Sequence, residues 1–304
     1  MISLICPVLN EEDSIAVFLT HIKSLQDSNN IELELLFIDD GSTDNTLNIL
    51  LEEKNEHPNI RIIQFSRNFG KEAALTAGLN LAKGDAVIPI DVDMQDPPEI
   101  IIKLIDEWKK GSDIVLAKRI DRTKDTFLKK LTAKLFYSIH NSVAAHKIPA
   151  NVGDFRLMDK RVVNELNKLP ERQRFMKGLF SWVGFKTSIV EYKRDERTNG
   201  YTKFSYWKLW NFALEGITSF STAPLKIWTY IGIIIASISF FYGGFIILRT
   251  MLTGIDVPGY ASLMVIVLFL GGIQLIGIGV LGEYIGRIYL ETKARPLFII
   301  DKEY

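Results

Sequence analysis

Residues 88–99, IPIDVDMQDPPE, decide how this 304-residue chain folds. An apolar, strand-forming run ends at Asp91 and Asp93, and two prolines precede a segment with helical periodicity. Proline suits the first turn of a helix, and aspartate suits the position that caps it. The stretch therefore predicts a buried strand, a loop rich in carboxylates, and a helix beginning at Pro97 with Asp96 as its cap.

The same alternation of strand and helix repeats along the first part of the chain. Short apolar runs predict strands at residues 2–8, 33–39, 60–65, 86–91 and 113–117. Helical periodicity separates them at residues 12–26, 44–56, 71–82 and 97–110. Strands that are apolar on both faces and alternate with helices are typical of a mostly parallel sheet covered on both sides. The predicted fold class is therefore α/β.

Polar side chains follow three of the predicted strands, namely Asn10, Glu11, Asp39, Asp91 and Asp93. In parallel α/β sheets, ligands bind beyond the carboxyl ends of the strands. Two neighbouring carboxylates repel each other unless a cation or strong donors compensate, and Mg²⁺ or Mn²⁺ prefers such oxygen ligands. When each motif is considered alone, a solvated turn is the better explanation.

Composition excludes some partners and suggests a compartment. The chain has 36 basic and 36 acidic residues, so no bulk attraction to nucleic acid is expected. The single cysteine, Cys6, lies within an apolar run and is predicted to be a core residue. The N-terminal sequence lacks a basic region followed by an apolar stretch, so we expect no cleaved signal peptide and a cytoplasmic soluble part.

Two long uncharged segments predict a membrane anchor. Residues 227–248 comprise 22 residues without charge, and residues 257–282 comprise 26. A spanning helix needs about 20 apolar residues, so we expect transmembrane helices at 227–248 and about 260–283; a buried helical hairpin is the alternative. Basic residues flank the pair more than the connecting loop, which predicts that both termini face the cytoplasm.

Two further segments are amphipathic. Residues 127–146 and the aromatic-rich residues 204–220 predict helices, of which the second is expected at the membrane interface. The domain scheme is therefore a cytoplasmic domain at 1–203, a juxtamembrane amphipathic helix at 204–226, and a membrane domain with a short tail at 227–304.

Taken together, the motifs resemble a known family. CPVLNEE at 6–12, IDDGSTDNT at 38–46, RNFGKEAAL at 67–75 and DVDMQDPPE at 91–99 resemble the family-two inverting glycosyltransferases of GT-A fold. GDFRLMD at 153–159, ERQRFMKGLFSWVG at 171–184, ERTNGYTKF at 196–204, PLKIWTYIG at 224–232 and residues 271–296 resemble the polyisoprenyl-phosphate glycosyltransferases, in particular bactoprenol glucosyltransferases of O-antigen modification. The resemblance covers nearly the whole chain.

The resemblance implies a role for each matched residue. The nucleotide-sugar pocket would contain Pro7, Asn10, Glu11, Asp39, Lys71 and Asp91. Asp93 and Gln95 would hold Mg²⁺ or Mn²⁺, the amide supplying oxygen without a further negative charge. Asp154 would be the catalytic carboxylate, with Arg197 and Lys203 as a basic pair near the transferred groups; a solvated charged loop is the alternative for that pair.

The resemblance also implies an activity. The chain would transfer glucose from UDP-glucose to undecaprenyl phosphate with inversion, at the cytoplasmic face of a bacterial inner membrane and as a homo-oligomer, by resemblance a tetramer. One alternative changes only the donor, to GDP-mannose, UDP-galactose or a modified arabinose. Another is a non-catalytic scaffold or translocation partner for the lipid carrier.

Overall fold

A computed structural model describes residues 1–120, 152–172, 174–193, 223–253 and 259–304. The helix predicted at 127–146 and the juxtamembrane helix predicted at 204–220 lie outside the described residues. The predicted basic pair Arg197 and Lys203 also lies outside them.

One eight-stranded sheet organises the described residues outside the two long apolar helices. Its strands are β1 (Ile2–Val8), β2 (Leu33–Asp39), β3 (Ile60–Phe65), β4 (Ala86–Pro89), β5 (Ile114–Arg119), β6 (Val152–Asp159), β7 (Thr187–Tyr192) and β8 (Ile300–Glu303). Their order is β7-β5-β6-β4-β1-β2-β3-β8. The pairs β1–β2, β1–β4, β2–β3 and β5–β7 are parallel, which confirms the predicted mostly parallel α/β sheet.

The direction of β6 determines which end of it reaches the ligand edge. β6 is antiparallel to both β4 and β5. The beginning of β6, with Gly153 and Asp154, therefore lies at the edge where the neighbouring parallel strands end. A residue near the start of one strand is thus brought to the carboxyl ends of the others.

Eight helices accompany the sheet among the described residues. They are α1 (Ile15–Asn29), α2 (Thr46–Glu56), α3 (Lys71–Leu81), α4 (Ile100–Lys109), α5 (Lys160–Lys168), α6 (Met176–Trp182), α7 (Ala223–Thr253) and α8 (Tyr260–Thr292). The first four coincide with the predicted helices to within three residues at each end.

Two apolar layers form the core, one on each face of the sheet. Along β2, Phe37 faces the layer formed with α1, α2 and α4, whereas Leu36 and Ile38 face the layer formed with α3, α5 and α6. The rings of Phe37 and Phe18 meet edge to face with centroids 6.3 Å apart. Burial of each such side chain contributes about 1.5–3 kcal/mol. Cys6 is fully buried in the first layer, which confirms the prediction.

The helix after the opening stretch begins later than predicted. α4 starts at Ile100, and a tight turn precedes it in which the Ile100 amide donates to the Pro97 carbonyl. Asp96 does not cap this helix, so that prediction was wrong. Its carboxylate is 4% exposed and instead accepts the Tyr192 hydroxyl at 2.5 Å, because the loop turns it inward towards β7.

Helices α7 and α8 contain two candidate membrane spans. Ile227–Thr253 has a mean hydropathy of 2.3 and Phe269–Thr292 a mean hydropathy of 1.4. The shares buried are 0% and 6%, so these helices present apolar side chains outward rather than forming a soluble core. The Trp228 ring occupies the space that a Cβ at Gly277 would need, and this small residue therefore lets the helices approach closely.

The chain returns to the sheet after α8. β8 pairs antiparallel with β3 and was not predicted from the sequence. The Phe298 ring, just before β8, stacks on Phe65 with centroids 5.1 Å apart. Arg61 on β3 pairs with Glu303 at 2.7 Å and with the buried Glu34 at 2.6 Å. The segment that follows the apolar helices is thus part of the eight-stranded sheet.

A second contact joins α8 to the part of the chain that forms the sheet. The carboxylate of Glu291, in the last turn of α8, accepts the Arg172 amide at 2.9 and 3.0 Å. The Arg172 guanidinium donates to the carbonyl of Arg295. Residue 172 lies four residues before α6, so the end of α8 holds the segment that leads into that helix.

Candidate active site

Asn10 ties together the loops that follow β1 and β2. Its backbone N–H donates to the Ser42 hydroxyl at 3.0 Å, and its side-chain Oδ1 accepts the backbone N–H of Thr43 at 2.8 Å. Its backbone is in the left-handed region at φ 56°, which asparagine tolerates better than most residues. The structure therefore places Asn10 at the predicted edge, with its side-chain oxygen engaged in shaping the loop.

Asp39 offers a buried acceptor at the end of β2. The residue is 0% exposed, and its Oδ1 accepts the Ser42 amide at 2.9 Å. Its Oδ2 is buried without a hydrogen-bond partner among the residues the structure describes. A buried acceptor without a donor costs about 1–3 kcal/mol, so this oxygen is suited to accept an N–H group from a ligand.

The neighbouring Asp40 has a structural role. Its carboxylate accepts the amides of Phe69 at 2.6 Å and Gly70 at 2.9 Å, which fixes the loop after β3. Gly41 follows at φ +77°, and a Cβ there would lie 2.7 Å from the Arg67 carbonyl carbon. Glycine is required here because the two loop backbones touch.

Three predicted residues line a cavity of about 190 Å³ at this edge, and Lys71 connects the other two. Its ammonium lies 2.6 and 2.8 Å from the two carboxylate oxygens of Asp91, and 3.5 Å from Oδ2 of Asp154. Lys71 is the first residue of α3, Asp91 follows β4, and Asp154 is near the start of β6. Three separate elements therefore converge on one ion-pair cluster.

The cluster keeps Asp154 ionised. Burial alone would raise the pKa of Asp154, but the positive charges of Lys71, Lys177 and Arg156 outweigh it and lower the pKa below its usual value. Burial would likewise lower the pKa of Lys71, and the carboxylates of Asp91 and Asp154 raise it instead. At neutral pH the cavity therefore holds a charged lysine beside the charged carboxylate of Asp154.

The cavity also contains residues that the sequence reasoning missed. Arg119, Asp96 and Lys177 line it with the ion-pair cluster. The Arg119 guanidinium donates to the Tyr192 hydroxyl at 3.1 Å and lies 3.5 Å from Asp96. Arg119 ends a strand parallel to β4, and this position was the signal that could have identified it. Lys177 lies within residues 171–184, which carry part of the family resemblance, but its place in the cavity follows only from the fold.

Pro7 and Glu11 occupy different depths of the predicted nucleotide pocket. Pro7 is half-buried within β1, where it pairs with Ile38. Glu11 accepts the Ser14 hydroxyl at 2.9 Å beyond the strand end. Burial raises the pKa of Glu11, and the nearby carboxylates of Asp93 and Asp91 raise it further. These acidic groups are therefore close enough to influence one another electrostatically.

Asp93 and Gln95 form a candidate half-site for a hard cation. The Gln95 side-chain amide donates to Asp93 Oδ2 at 2.5 Å, and the Gln95 backbone amide lies 3.2 Å from Oδ1. Met94 between them is in the left-handed region at φ 56°, which brings the two side chains to one side. Rotation of the Gln95 amide would exchange its nitrogen for its oxygen, giving two oxygen donors.

The donor set fits a metal shared with a ligand. The described residues contain no group of three or more His, Cys, Asp or Glu side chains that could hold a metal alone. Magnesium is commonly bound by one or two carboxylates together with substrate phosphates. Asp93 and Gln95 match that pattern and do not match a cage made entirely of protein ligands.

Two family descriptions match the chain. Residues 3–166 match "Glycosyl transferase family 2", which spans the sheet as far as α5. Residues 223–288 match "GtrB C-terminal hairpin", which spans α7 and most of α8. Both the catalytic half and the two apolar helices therefore have counterparts in known proteins.

Relatives align along the full length. The SfII prophage-derived bactoprenol glucosyl transferase of Shigella flexneri is 57% identical over 303 residues, covering 100% of this chain and 98% of the relative. A prophage bactoprenol glucosyl transferase homolog of Escherichia coli (strain K12) is 56% identical over 301 residues, covering 99% and 98%. An uncharacterized glycosyltransferase of Synechocystis sp. is 52% identical over 300 residues, covering 99% and 94%.

Proposed function

Because the chain belongs to glycosyl transferase family 2 and carries the GtrB C-terminal hairpin, we propose that it transfers glucose from UDP-glucose to undecaprenyl phosphate. The product would be β-glucosyl-phosphoryl-undecaprenol, formed with inversion and with release of UDP. The observation that carries this proposal is the cavity in which Lys71 bridges Asp91 and Asp154 at the carboxyl edge of the sheet.

The nucleotide end of the donor fits beside β2. The free, buried Oδ2 of Asp39 accepts the N–H of the uracil edge, while Asn10 keeps the surrounding loop in place. The diphosphate then lies towards Lys71, whose ammonium can exchange part of its contact with Asp91 for phosphate oxygens. Asp93 and Gln95 would hold Mg²⁺ or Mn²⁺ there, which neutralises charge on the departing diphosphate.

The acceptor needs little help from a base. The second pKa of a phosphate monoester is near 6, so the lipid phosphate is already largely a dianion at neutral pH. One of its oxygens attacks the anomeric carbon as the bond from that carbon to the UDP oxygen breaks, which inverts the configuration. Asp154, kept ionised by its cationic neighbours, orients Lys71 and stabilises positive charge that develops on the sugar.

The apolar hairpin would hold the catalytic domain close to the second substrate, the lipid phosphate. A lipid phosphate sits at the bilayer surface, and a tethered catalytic domain meets it at a raised effective concentration. We therefore place the enzyme in the bacterial inner membrane, with its catalytic domain and both ends in the cytoplasm, as a homo-oligomer acting in O-antigen or related glycan glucosylation. The cytoplasmic domain at 1–203, the juxtamembrane helix at 204–226 and the basic pair Arg197 and Lys203 belong to this proposal.

Transfer in a defined bilayer tests the activity. Full-length chain in vesicles containing undecaprenyl phosphate is supplied with labelled UDP-glucose, UDP-galactose or GDP-mannose, with and without Mg²⁺ or Mn²⁺. We expect labelled lipid from UDP-glucose only, together with UDP. Labelled lipid from another donor would reassign the sugar, and no labelled lipid from any donor would contradict the activity.

Replacement of Asp93 tests the metal assignment. Asp93→Ala removes the only carboxylate of the candidate cation site, and we expect metal-dependent turnover to fall by about 100-fold or more, as for loss of other charge-stabilising groups. Asp106→Ala on the exposed side of α4 serves as the matched control and should retain turnover. Unchanged turnover in Asp93→Ala would remove the metal assignment.

A further inference from the structure

Glu72 connects two helices that carry cavity residues. It follows Lys71 in the first turn of α3, and its Oε2 accepts the amide of Met176, the first residue of α6, at 3.3 Å. One turn further along α3, the Thr76 hydroxyl lies 3.9 Å from the Met176 sulfur. The first turns of α3 and α6 are therefore held against each other.

The residues adjacent to this contact are those that surround Asp154. Lys71 precedes Glu72 and reaches Asp91 and Asp154, and Lys177 follows Met176 and lines the same cavity. A shift of either helix would move one ammonium group relative to the Asp154 carboxylate. The Glu72 contact is thus placed to set the spacing between the two cations.

We propose that Glu72 is a positioning residue of the transfer reaction, which holds Lys71 and Lys177 about the Asp154 carboxylate through its bond to the Met176 amide. This inference rests on the proposed function, because the geometry it preserves is that of the sugar-transfer cavity. Glu72 itself does not line the cavity and need not touch either substrate.

The charge of Glu72 depends on pH in the neutral range. Burial raises the pKa of Glu72 to about 7, and the Asp154 carboxylate adds to that rise. The Met176 amide and the positive charges of Lys177 and Lys71 oppose it. From the segment before α6, Arg174 also interacts electrostatically with Glu72. Both the protonated and ionised carboxyl groups are therefore populated at neutral pH.

Donor binding should favour the protonated form. UDP-glucose adds negative charge next to the lysines that Glu72 faces, which raises the pKa of Glu72 further. A group whose pKa rises on binding takes up a proton, so affinity is highest below about pH 7 and falls as the pH rises. If binding raises the pKa by one unit, affinity is about fivefold higher at pH 6 than at pH 8.

Two variants separate the hydrogen bond from the charge. Glu72→Gln keeps an oxygen that can accept the Met176 amide, but the glutamine side chain cannot ionise. Glu72→Ala removes both the acceptor and the ionisable group. Glu165→Gln on α5, where Glu165 pairs with Lys168 on the surface, is the matched control. Each full-length variant is assayed in vesicles for kcat and KM, and for UDP-glucose affinity at pH 6 and pH 8 with metal held constant.

We expect Glu72→Ala to lower kcat about tenfold, within the range seen when a supporting group shifts a catalytic one. Glu72→Gln should restore most of kcat at pH 6 and abolish the difference in affinity between pH 6 and pH 8. The wild type and Glu165→Gln should retain that difference. This pattern requires both the bond and the ionisable group.

A donor-independent measurement accompanies these assays. An ordinary glutamate has a pKa near 4.3, so the folded chain with Glu72 at about 7 binds more protons than the unfolded chain between these values. Stability therefore declines as the pH rises through that window, and Glu72→Gln should gain in apparent Tm relative to wild type between pH 5 and pH 8.

The outcomes show separately whether the inference about Glu72 fails and whether the proposed function fails. If the wild type transfers glucose and Glu72→Ala has the wild-type kcat, the inference is overturned and the proposed function stays intact. The same holds if UDP-glucose affinity in Glu72→Gln depends on pH as it does in the wild type. Absence of wild-type transfer from every sugar nucleotide would overturn the proposed function and this inference with it.

Discussion

The Lys71 ammonium lies between two carboxylates that would otherwise repel each other. Asp91 follows β4 and Asp154 lies near the start of β6, and the ammonium group contacts both carboxylates. The same lysine begins α3, and the N-terminal end of a helix favours a negative ligand. A single side chain therefore stabilises the cavity and offers positive charge to an incoming diphosphate.

Replacement of Lys71 by methionine should disable the cavity. Lys71→Met preserves length but leaves Asp91 and Asp154 without their shared cation, so we expect kcat/KM for UDP-glucose to fall by about 100-fold. The pKa of Asp154, which Lys71 lowers, should rise. Steady-state transfer assays at several donor concentrations and pH values measure both effects.

Lys168→Met provides the matched control for that experiment. Lys168 is exposed on α5 and pairs with Glu165 one turn away. This variant should transfer glucose at the wild-type rate. If Lys71→Met also did so, Lys71 would have only a structural role in the ion-pair cluster.

At the residue scale, the sequence predicted those site residues that stand at the ends of obvious strands. Asp39 and Asp91 follow long apolar runs, so their edge could be predicted from alternation alone. Asp154 follows no such run, and only the family resemblance identified it. Lys177 and Glu72 were missed because their position depends on how α6 docks against α3, which local periodicity does not encode.

At the element scale, the last strand secures the free side of β3. Phe298 stacks on Phe65, while Arg61 links the buried Glu34 to Glu303 on β8. An uncovered edge strand exposes unpaired amides and carbonyls that other chains can pair with. β8 covers this edge, although it is only four residues long.

Truncation of the stacking ring should loosen this edge. Phe298→Ala removes the contact with Phe65, and we expect a loss of about 2 kcal/mol in unfolding free energy, less than for a fully buried ring. Thermal unfolding in detergent followed by tryptophan fluorescence measures the change. Ile299→Ala, at the exposed neighbouring residue, should have little effect; equal losses in the two variants would argue against a specific role for the stack.

The sequence predicted β1, β2 and β3 because each is an apolar run bounded by turn-forming residues. It did not predict β6, β7 or β8, which contain charged or exposed residues and pair with strands distant in the chain. β7, for example, exposes Thr187, Ile189 and Glu191 and buries only Val190 and Tyr192. Such strands are stabilised by their neighbours in the sheet rather than by their own composition.

At the scale of the whole molecule, contacts at the end of α8 connect the apolar hairpin to a segment next to the cavity. Glu291 at the end of α8 accepts the Arg172 amide, and the segment after Arg172 leads into α6. α6 in turn carries Lys177 and is held from the other side by Glu72. The hairpin therefore supports one wall of the cavity as well as anchoring it.

Loss of the Glu291 carboxylate should reduce turnover without removing the membrane anchor. Glu291→Ala leaves the Arg172 amide without its acceptor, and we expect kcat in vesicles to fall several-fold through displacement of Lys177. Glu283→Ala in the same helix breaks only an ion pair with Arg287, and it should retain kcat. Equal kcat in both variants would show that the hairpin contributes anchoring alone.

The return of the chain to the sheet after α8 imposes an order on synthesis. The ribosome releases β8 after every other described strand and after both apolar helices. In the proposed membrane topology, the sheet edge at β3 stays uncovered while the hairpin is being inserted, and it closes only when residues 300–303 pair with β3. A chain in which residues 300–303 did not reach β3 would keep that edge open, so completion of the sheet depends on the segment that follows the apolar helices.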